Sequence, residues 1–156
     1  MKISGRLRLL SLVVAISAAS LLTAFRAAPS AEEQAILIPV QATFDGMAAR
    51  DTNAIKANFL PGGTLIAMRD GKPTQMTLEA FAERSGRPGT TAIQERIHDP
   101  LVRIDNDLAI VWAPFEYMTD GKVISCGTDM FNLVKSEGKW LIANLLYTGR
   151  KDCPVR

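Results

Sequence analysis

The second half of the chain is dominated by long β-rich segments that alternate with turn signals. Three such signals follow Thr90: Asp105-Asn106-Asp107, Asp120-Gly121 and Glu137-Gly138. Pro100 interrupts the first segment, because proline cannot donate to a sheet ladder. The pattern predicts a four-stranded antiparallel meander, and any fold for this chain must accommodate it.

The segment Leu108 to Met118 is apolar at both its odd and its even positions. Successive side chains of a strand point to opposite faces of the sheet, so both faces of this strand need cover. Helices of the same chain can cover one face. A second copy of the sheet is the simplest cover for the other, so we predict a homodimer through the sheet face.

The chain between residue 31 and the meander is predicted to be largely helical at its start. Ile36, Val40, Phe44 and Met47 recur at spacings of three and four, which predicts a helix from about Glu32 to Arg50. Pro39 lacks the N–H for a bond to the preceding turn. The helix is therefore expected either to kink at Pro39 or to begin near it.

Shorter elements connect this helix to the meander. Asp51 or Thr52 can cap a second helix that carries Ile55 and Phe59 and ends at Pro61-Gly62-Gly63. The remaining predicted elements are a hairpin of Thr64 to Met68 and Lys72 to Met76 around Asp70-Gly71, and a third helix capped by Thr77.

The first thirty residues have the pattern of a secretory signal. A cationic start is followed by the uncharged run Leu9 to Phe25 and by small residues around Ala28-Pro29-Ser30. We predict a signal peptide over residues 1–30 and a single domain over residues 31–156. An uncleaved anchor is the alternative, because the uncharged run of 17 residues is at the lower limit for a membrane span. Either interpretation predicts export, to the periplasm or the medium in a bacterium.

The charge of the predicted mature domain argues against nucleic-acid binding. Residues 31–156 carry fourteen Lys and Arg against sixteen Asp and Glu, a net charge of −2, and the basic residues are scattered singly. A nucleic-acid-binding surface would show clustered basic residues.

The two cysteines are expected to form a disulfide if the chain is exported. Cys126 and Cys153 are the only cysteines, and an oxidising compartment favours their pairing. The bond would stabilise the fold by about 3 to 4 kcal/mol on a chain-entropy estimate. Two unpaired thiols are the alternative.

Particular stretches resemble a known family. The stretch Asp107 to Phe115 is similar to the central strand of the nuclear transport factor 2-like fold, an α+β cone, and Phe131 to Lys135 with Glu137 to Ile142 is similar to its closing hairpin. The resemblance covers about Glu33 to Thr148.

The resemblance is nearest to small exported members grouped as SnoaL-like and putative lumazine-binding proteins. The stretch Ser125-Cys126-Gly127 and the late Cys153 carry it. Isomerases, cyclases, dehydratases and purely binding members share this fold, so the fold alone does not imply one function.

The members that are enzymes carry out their reactions inside the cone, so the candidate residues are those on its inner face. If Phe131 points inward, the period of two brings Asp129 to the same face. The same reasoning places Asn144 with Ile142, and Tyr117 with Phe115. The candidate ligand-binding residues are therefore Phe115, Tyr117, Asp129 and Asn144. Structural roles for the polar ones are the alternative: a bulge for Asp129, a strand bridge for Asn144 and an exposed hydroxyl for Tyr117.

Several catalytic patterns of the family are absent from the sequence. Phe44 stands where the ketosteroid isomerase-like members need a tyrosine, and His98 is the only histidine where scytalone dehydratase-like chemistry needs two. A lone histidine without a Cys-x-x-Cys motif gives no basis for a metal site. The sequence also lacks a glycine-rich phosphate-binding loop, so we expect no nucleotide cofactor.

Three functions are consistent with these sequence observations. We expect a domain that binds a small apolar or aromatic ligand without demonstrable catalysis. The first alternative is an isomerase or cyclase acting on a carbon acid with Asp129 as general base. The second is an interaction module of the cell envelope, which would use the sheet face assigned above to dimerisation.

Overall fold

A computed structural model describes residues 28–154 of the chain. Its elements, in chain order, are α1 (Ala31–Ala49), α2 (Thr52–Lys56), β1 (Phe59–Arg69), β2 (Lys72–Thr77), α3 (Leu78–Ser85), β3 (Ile93–Ile97), β4 (Leu101–Asp105), β5 (Leu108–Thr119), β6 (Lys122–Ser136) and β7 (Lys139–Thr148). The predicted leader lies outside the described residues apart from its last three. None of the helices described here is both long and apolar enough to cross a membrane.

A capping box starts α1. The Ser30 hydroxyl accepts a hydrogen bond from the Glu33 N–H at 3.1 Å, and the Glu33 carboxylate accepts one from the Ser30 N–H at 2.7 Å. The helix runs unbroken through Pro39, so a start near Pro39 is ruled out. It ends at Ala49, and the C-cap residue Arg50 has a left-handed backbone with φ 55°.

The boundary between α2 and β1 corrects the sequence prediction. Asp51 caps α2 as expected, but this helix ends at Lys56, and Phe59 belongs to β1 rather than to the helix. Phe59 is buried and pairs with Ile142 of β7. The sheet therefore includes a residue that the sequence pattern places in the helix. The hairpin at Asp70-Gly71 forms as predicted, with both residues at positive φ.

The sheet has seven strands and is mixed. Its order is β2-β1-β7-β6-β5-β3, with β4 also paired to β5, and within the described chain only the β1–β7 pairing is parallel. Because β3 and β4 both lie antiparallel to β5 on either side of Pro100, they act as two halves of one interrupted strand. The predicted meander is therefore confirmed, extended by the β1–β2 hairpin into a curved α+β fold.

The core forms where α1 lies against the inner face of this sheet. Ile36 and Val40 are fully buried, and Phe44 meets Phe131 of β6 edge-on with ring centroids 6.1 Å apart. The inward residues of β5 near this contact are small or branched, which allows the helix to approach closely. This packing closes one end of the cone and leaves the other end hollow.

The outer face of the sheet is left uncovered by residues 28–154. On β5, Leu108, Ile110 and Trp112 are 60%, 39% and 49% exposed, and Leu101 of β4, opposite Trp112, is 41% exposed. The helices lie against the inner face.

Cys126 and Cys153 form the predicted disulfide, which holds the C-terminal tail on β6. Their Cα atoms are 5.7 Å apart, and Cys126 also exchanges two backbone hydrogen bonds with Arg150. The adjacent Gly127 leaves no room for a side chain, because a Cβ atom there would overlap the Thr148 carbonyl group. The end of β7 therefore packs directly on the backbone of β6.

Candidate functional site

The hollow end of the cone is a cavity of about 400 Å³ between α1, α3 and the inner face of the sheet. Its apolar walls come from both helices and from strands β5 and β7: Phe44, Met47, Phe81, Phe115 and Leu145. Its polar lining consists mainly of two acids, two tyrosines and three arginines. An apolar cavity with a few convergent polar groups is the usual form of a small-molecule site.

Asp129 forms the acidic end of the cavity. It lies on β6 opposite Ala113 of β5 and Tyr147 of β7, at the centre of the sheet, and is only 1% exposed. Its Oδ2 atom receives no hydrogen bond from any amide or hydroxyl group of residues 28–154. A buried carboxyl oxygen without such a partner is costly, and it marks a position where a ligand group can bind.

Glu95 is the partner of Asp129. It lies on β3 directly opposite Tyr117 of β5, and its carboxyl group makes a side-chain hydrogen bond with that of Asp129. Two carboxylates cannot share a hydrogen bond unless one of them carries a proton. The pair therefore holds a proton between its two groups.

Burial raises the pKa of both acids. It raises the pKa of Glu95 to about 7, while the hydrogen bond with Asp129 opposes the rise. The pKa of Asp129 lies well above its usual range, first through burial and then through the charge of Glu95 and the hydrogen bond between them. Near neutral pH the pair can thus donate through its shared proton and accept through a free oxygen.

Tyr117 adds a hydroxyl group to the same cavity. Burial and the nearby charge of Glu95 raise the pKa of Tyr117, and the guanidinium groups of Arg50 and Arg84 act in the opposite direction. The phenol is therefore a neutral hydrogen-bond donor at physiological pH.

Three arginines surround the cavity, and one of them has a structural role. Arg50 donates to the carbonyl oxygens of Arg87 and Thr91 at 3.0 and 2.9 Å, which ties the loop after α3 to the end of α1. Arg69, at the end of β1, lies over the Tyr147 ring at 6.0 Å, and Arg84, on α3, lies over the Phe81 ring at 5.9 Å.

Three of the four predicted ligand-binding residues line this cavity. Phe115, Tyr117 and Asp129 do so from the strands on which the sequence placed them. Asn144 does not, because an irregularity in the β6–β7 pairing reverses the alternation between Ile142 and Asn144. Asn144 instead accepts a hydrogen bond of 2.6 Å from Asn132, the bridging role considered as its alternative.

The sequence reasoning missed Glu95 and the arginines. In Ile93 to Ile97 the two isoleucines are half-buried, and the period of two places Glu95 on their face. This alternation is visible in the sequence, but the strand is short. Asp129, with which Glu95 pairs, lies 34 positions further along the chain. The arginines come from three separate elements, so no local motif links them.

The structure offers no clustered metal ligands at this site. Across residues 28–154 there is no group of three or more His, Cys, Asp or Glu side chains placed to hold an ion. His98 lies outside the cavity lining and contacts the Glu116 carboxylate at 3.2 Å.

Comparison with protein families gives a match over most of the chain. The family described as "putative lumazine-binding" matches residues 31–148, which include all the strands and helices described above. No curated protein matches the chain in sequence.

Solved structures share the fold at low sequence identity. An NTF2-like protein of unknown function from Shewanella baltica has a TM-score of 0.59 at 20% identity, covering 76% of this chain and 94% of that one. A protein of unknown function with a cystatin-like fold from Nostoc punctiforme has a TM-score of 0.63 at 12% identity, covering 80% and 96%. A structure described as a putative dehydratase of the NTF2-like family from Streptomyces avermitilis has a TM-score of 0.61 at 13% identity, covering 75% and 94%. These likenesses concern the fold.

The carboxyl pair should make folding stability depend on pH. Folded Glu95 keeps its proton up to about pH 7, whereas the unfolded chain releases it near the ordinary glutamate pKa of 4.5. The folded state therefore binds more protons in this window, and the contribution of Glu95 to the free energy of unfolding falls as pH rises, by about 3 kcal/mol. Glu95→Gln should flatten this fall in urea denaturation followed by circular dichroism between pH 4.5 and 8.

Glu83→Gln provides the control, because Glu83 is an exposed residue of α3 that does not line the cavity. An equal slope in wild type and Glu95→Gln would show that the pair does not share a proton in the folded protein.

Proposed function

The chain belongs to the putative lumazine-binding family of NTF2-like proteins, and from this premise we propose that its cone binds a small apolar or aromatic molecule. The observation that carries the proposal is an apolar-walled cavity of about 400 Å³ that ends at the Glu95–Asp129 pair. A ligand would bury its apolar surface against Phe44, Phe81 and Phe115. It would place one polar group at the carboxyl pair.

The carboxyl pair supports this proposal because it is incompletely bonded by the protein. Apart from the proton that it shares with Glu95, Asp129 receives no hydrogen bond at Oδ2 from the described chain, and an unmet buried polar atom typically costs about 1 to 3 kcal/mol. An N–H or O–H group of a ligand would recover that energy. Tyr117 lines the same cavity and offers a donor for a carbonyl or ring nitrogen.

Filling the cavity should abolish binding. Ser125 is a small, half-buried lining residue on β6, so Ser125→Trp places an indole in the space that the ligand would use. We expect it to weaken binding of the neutral fluorescent probe N-phenyl-1-naphthylamine by at least about tenfold, which corresponds to about 1.4 kcal/mol. Fluorescence titration measures the loss.

Ser136→Trp is the matched control, because Ser136 lies on the same strand but is exposed and does not line the cavity. Native mass spectrometry of the mature protein from its own host provides a second measurement, since a bound natural ligand adds a reproducible mass. Equal probe binding by both variants would contradict a site in the cone.

The second candidate function is proton transfer to and from a carbon acid, as in an isomerase or cyclase. The raised pKa of the carboxyl pair favours it, because a general acid or base works best when its pKa is near the working pH. The sequence assigned the base to Asp129 alone. We now assign it to the pair, with Tyr117 donating a hydrogen bond to the developing oxyanion.

A proton-transfer role predicts solvent exchange at carbon. With the wild-type protein, a small cyclic enone in D₂O should incorporate deuterium at its acidic carbon, which proton NMR detects. Glu95→Gln and Asp129→Asn should each lower this rate by about a hundredfold or more, the usual contribution of general acid–base catalysis. Gln94→Ala, an exposed neighbour on β3, should not lower it. Exchange no faster than in buffer would remove this function and leave the binding proposal intact.

We also propose that two copies associate through the outer face of the sheet. Ile110 and Trp112 are exposed on this face, and apolar residues grouped on a strand are typical of an interface. A second copy would bury them against the same residues by two-fold symmetry. Should the protein be a monomer, the same face would suit the interaction module considered above.

Placing a charge on this face should separate the copies. Trp112→Glu should convert a dimer to a monomer at micromolar concentration, as measured by size-exclusion chromatography with light scattering. Ile38→Glu is the control, because Ile38 is also an exposed apolar residue, 66% accessible, but lies on α1 rather than on the sheet. A sharp monomer for the wild-type protein would overturn the proposal.

Export remains part of the proposed function. The Cys126–Cys153 disulfide supports an oxidising compartment, in agreement with the secretory pattern of residues 1–30. Residues 31–156 would then be the mature domain.

A further inference from the structure

The cavity is more basic than the domain that contains it. Residues 31–156 have a net charge of −2, yet the described lining of the cavity contains three arginines and two acids. The two acids share a proton, so together they supply about one negative charge. The lining is therefore positive inside a domain that is negative as a whole.

Two of the arginines are available to a ligand. Within residues 28–154, Arg69 and Arg84 donate no hydrogen bond and form no ion pair, unlike Arg50, which is bonded to the loop after α3. Each guanidinium lies over an aromatic ring of the lining, Tyr147 or Phe81, at 6.0 and 5.9 Å from the ring centre. Stacking on a ring orients the planar group while leaving its N–H donors free.

The arginines also act on the interior of the cavity. Arg84, like Arg50, opposes the rise in the pKa of Tyr117 that burial and the charge of Glu95 cause. Its electrostatic field therefore reaches the centre of the site. The acids, in contrast, lie at the buried end, where their remaining negative charge would repel an anion.

We propose that the ligand of this cavity is an organic anion: an apolar or aromatic body with a carboxylate, sulfonate or phosphate group held by Arg69 and Arg84, and a neutral polar end at Glu95 and Asp129. This inference rests on the proposed binding function and specifies its ligand class. The separation of the two charged groups fixes the orientation of the ligand, because the reverse orientation would bring the anion against the acids.

Two dyes with the same ring skeleton test the charge requirement. 8-Anilinonaphthalene-1-sulfonate carries a sulfonate that N-phenyl-1-naphthylamine lacks. We expect the sulfonate to bind the wild-type protein about tenfold more tightly, because guanidinium–anion hydrogen bonds are charge-assisted. Raising NaCl from about 0.05 to about 0.5 M should remove most of this advantage without affecting the neutral dye. Ser125→Trp gives the signal of dye bound elsewhere, which is subtracted.

The double variant Arg69→Gln/Arg84→Gln should bind both dyes with equal affinity, while its affinity for the neutral dye stays within about twofold of wild type. The control is Arg96→Gln/Arg103→Gln, which removes the same charge from exposed arginines that do not line the cavity. It should retain the preference for the sulfonate.

The outcomes separate the two proposals. Equal affinity of the wild-type cavity for both dyes, or a sulfonate preference that survives loss of Arg69 and Arg84, overturns the anion requirement and leaves the binding function standing. Failure of both dyes to bind above the Ser125→Trp signal overturns both. The salt titration of the wild-type protein decides the question even if the arginine variants fold poorly, which circular dichroism would reveal.

Discussion

The packing of α1 against the inner face of the sheet determines the rest of this structure. The contact of Phe44 with Phe131, together with the fully buried Ile36 and Val40, fixes the distance between helix and strands. Beyond this contact, toward the C-terminal end of α1, helix and sheet are separated. The cavity is the space that this separation leaves, and α3 closes it from the side.

Burying Glu95 and Asp129 in that space has a chemical consequence. Within residues 28–154 neither acid has an arginine as an ion-pair partner, and two like charges held together in a poorly hydrated site repel each other strongly. Retaining a proton is the less costly solution, and it leaves the pair able both to donate and to accept. The arginines remain bonded to a loop or stacked on rings, where they can bind an anion without neutralising the acids.

The sequence predicted the parts of the fold that depend on local pattern. The α1 stripe, the Asp70-Gly71 hairpin, the meander and the disulfide all follow from spacing, turn residues or compartment. Asp129 was found because the alternation of β6 is unbroken around it, and Tyr117 because the alternation of β5 holds up to that residue, where the β5–β6 pairing becomes irregular. Asn144 was misplaced because an irregularity in strand pairing leaves no mark in a single sequence. The Glu95–Asp129 contact could not be predicted, since it joins strands on opposite sides of β5.

The position of the disulfide limits how the molecule can exchange parts with another copy. The bond between Cys126 and Cys153 encloses the β6–β7 hairpin in a covalent ring of the chain. Strand β7 cannot leave its own sheet to join that of a neighbour while its far end remains attached to β6. In the oxidised protein, strand swapping at this position therefore requires transfer of the whole hairpin, including Asp129 and Tyr147. Reduction removes this restriction, so oligomers that exchange β7 alone should form only from chains that were reduced when they folded.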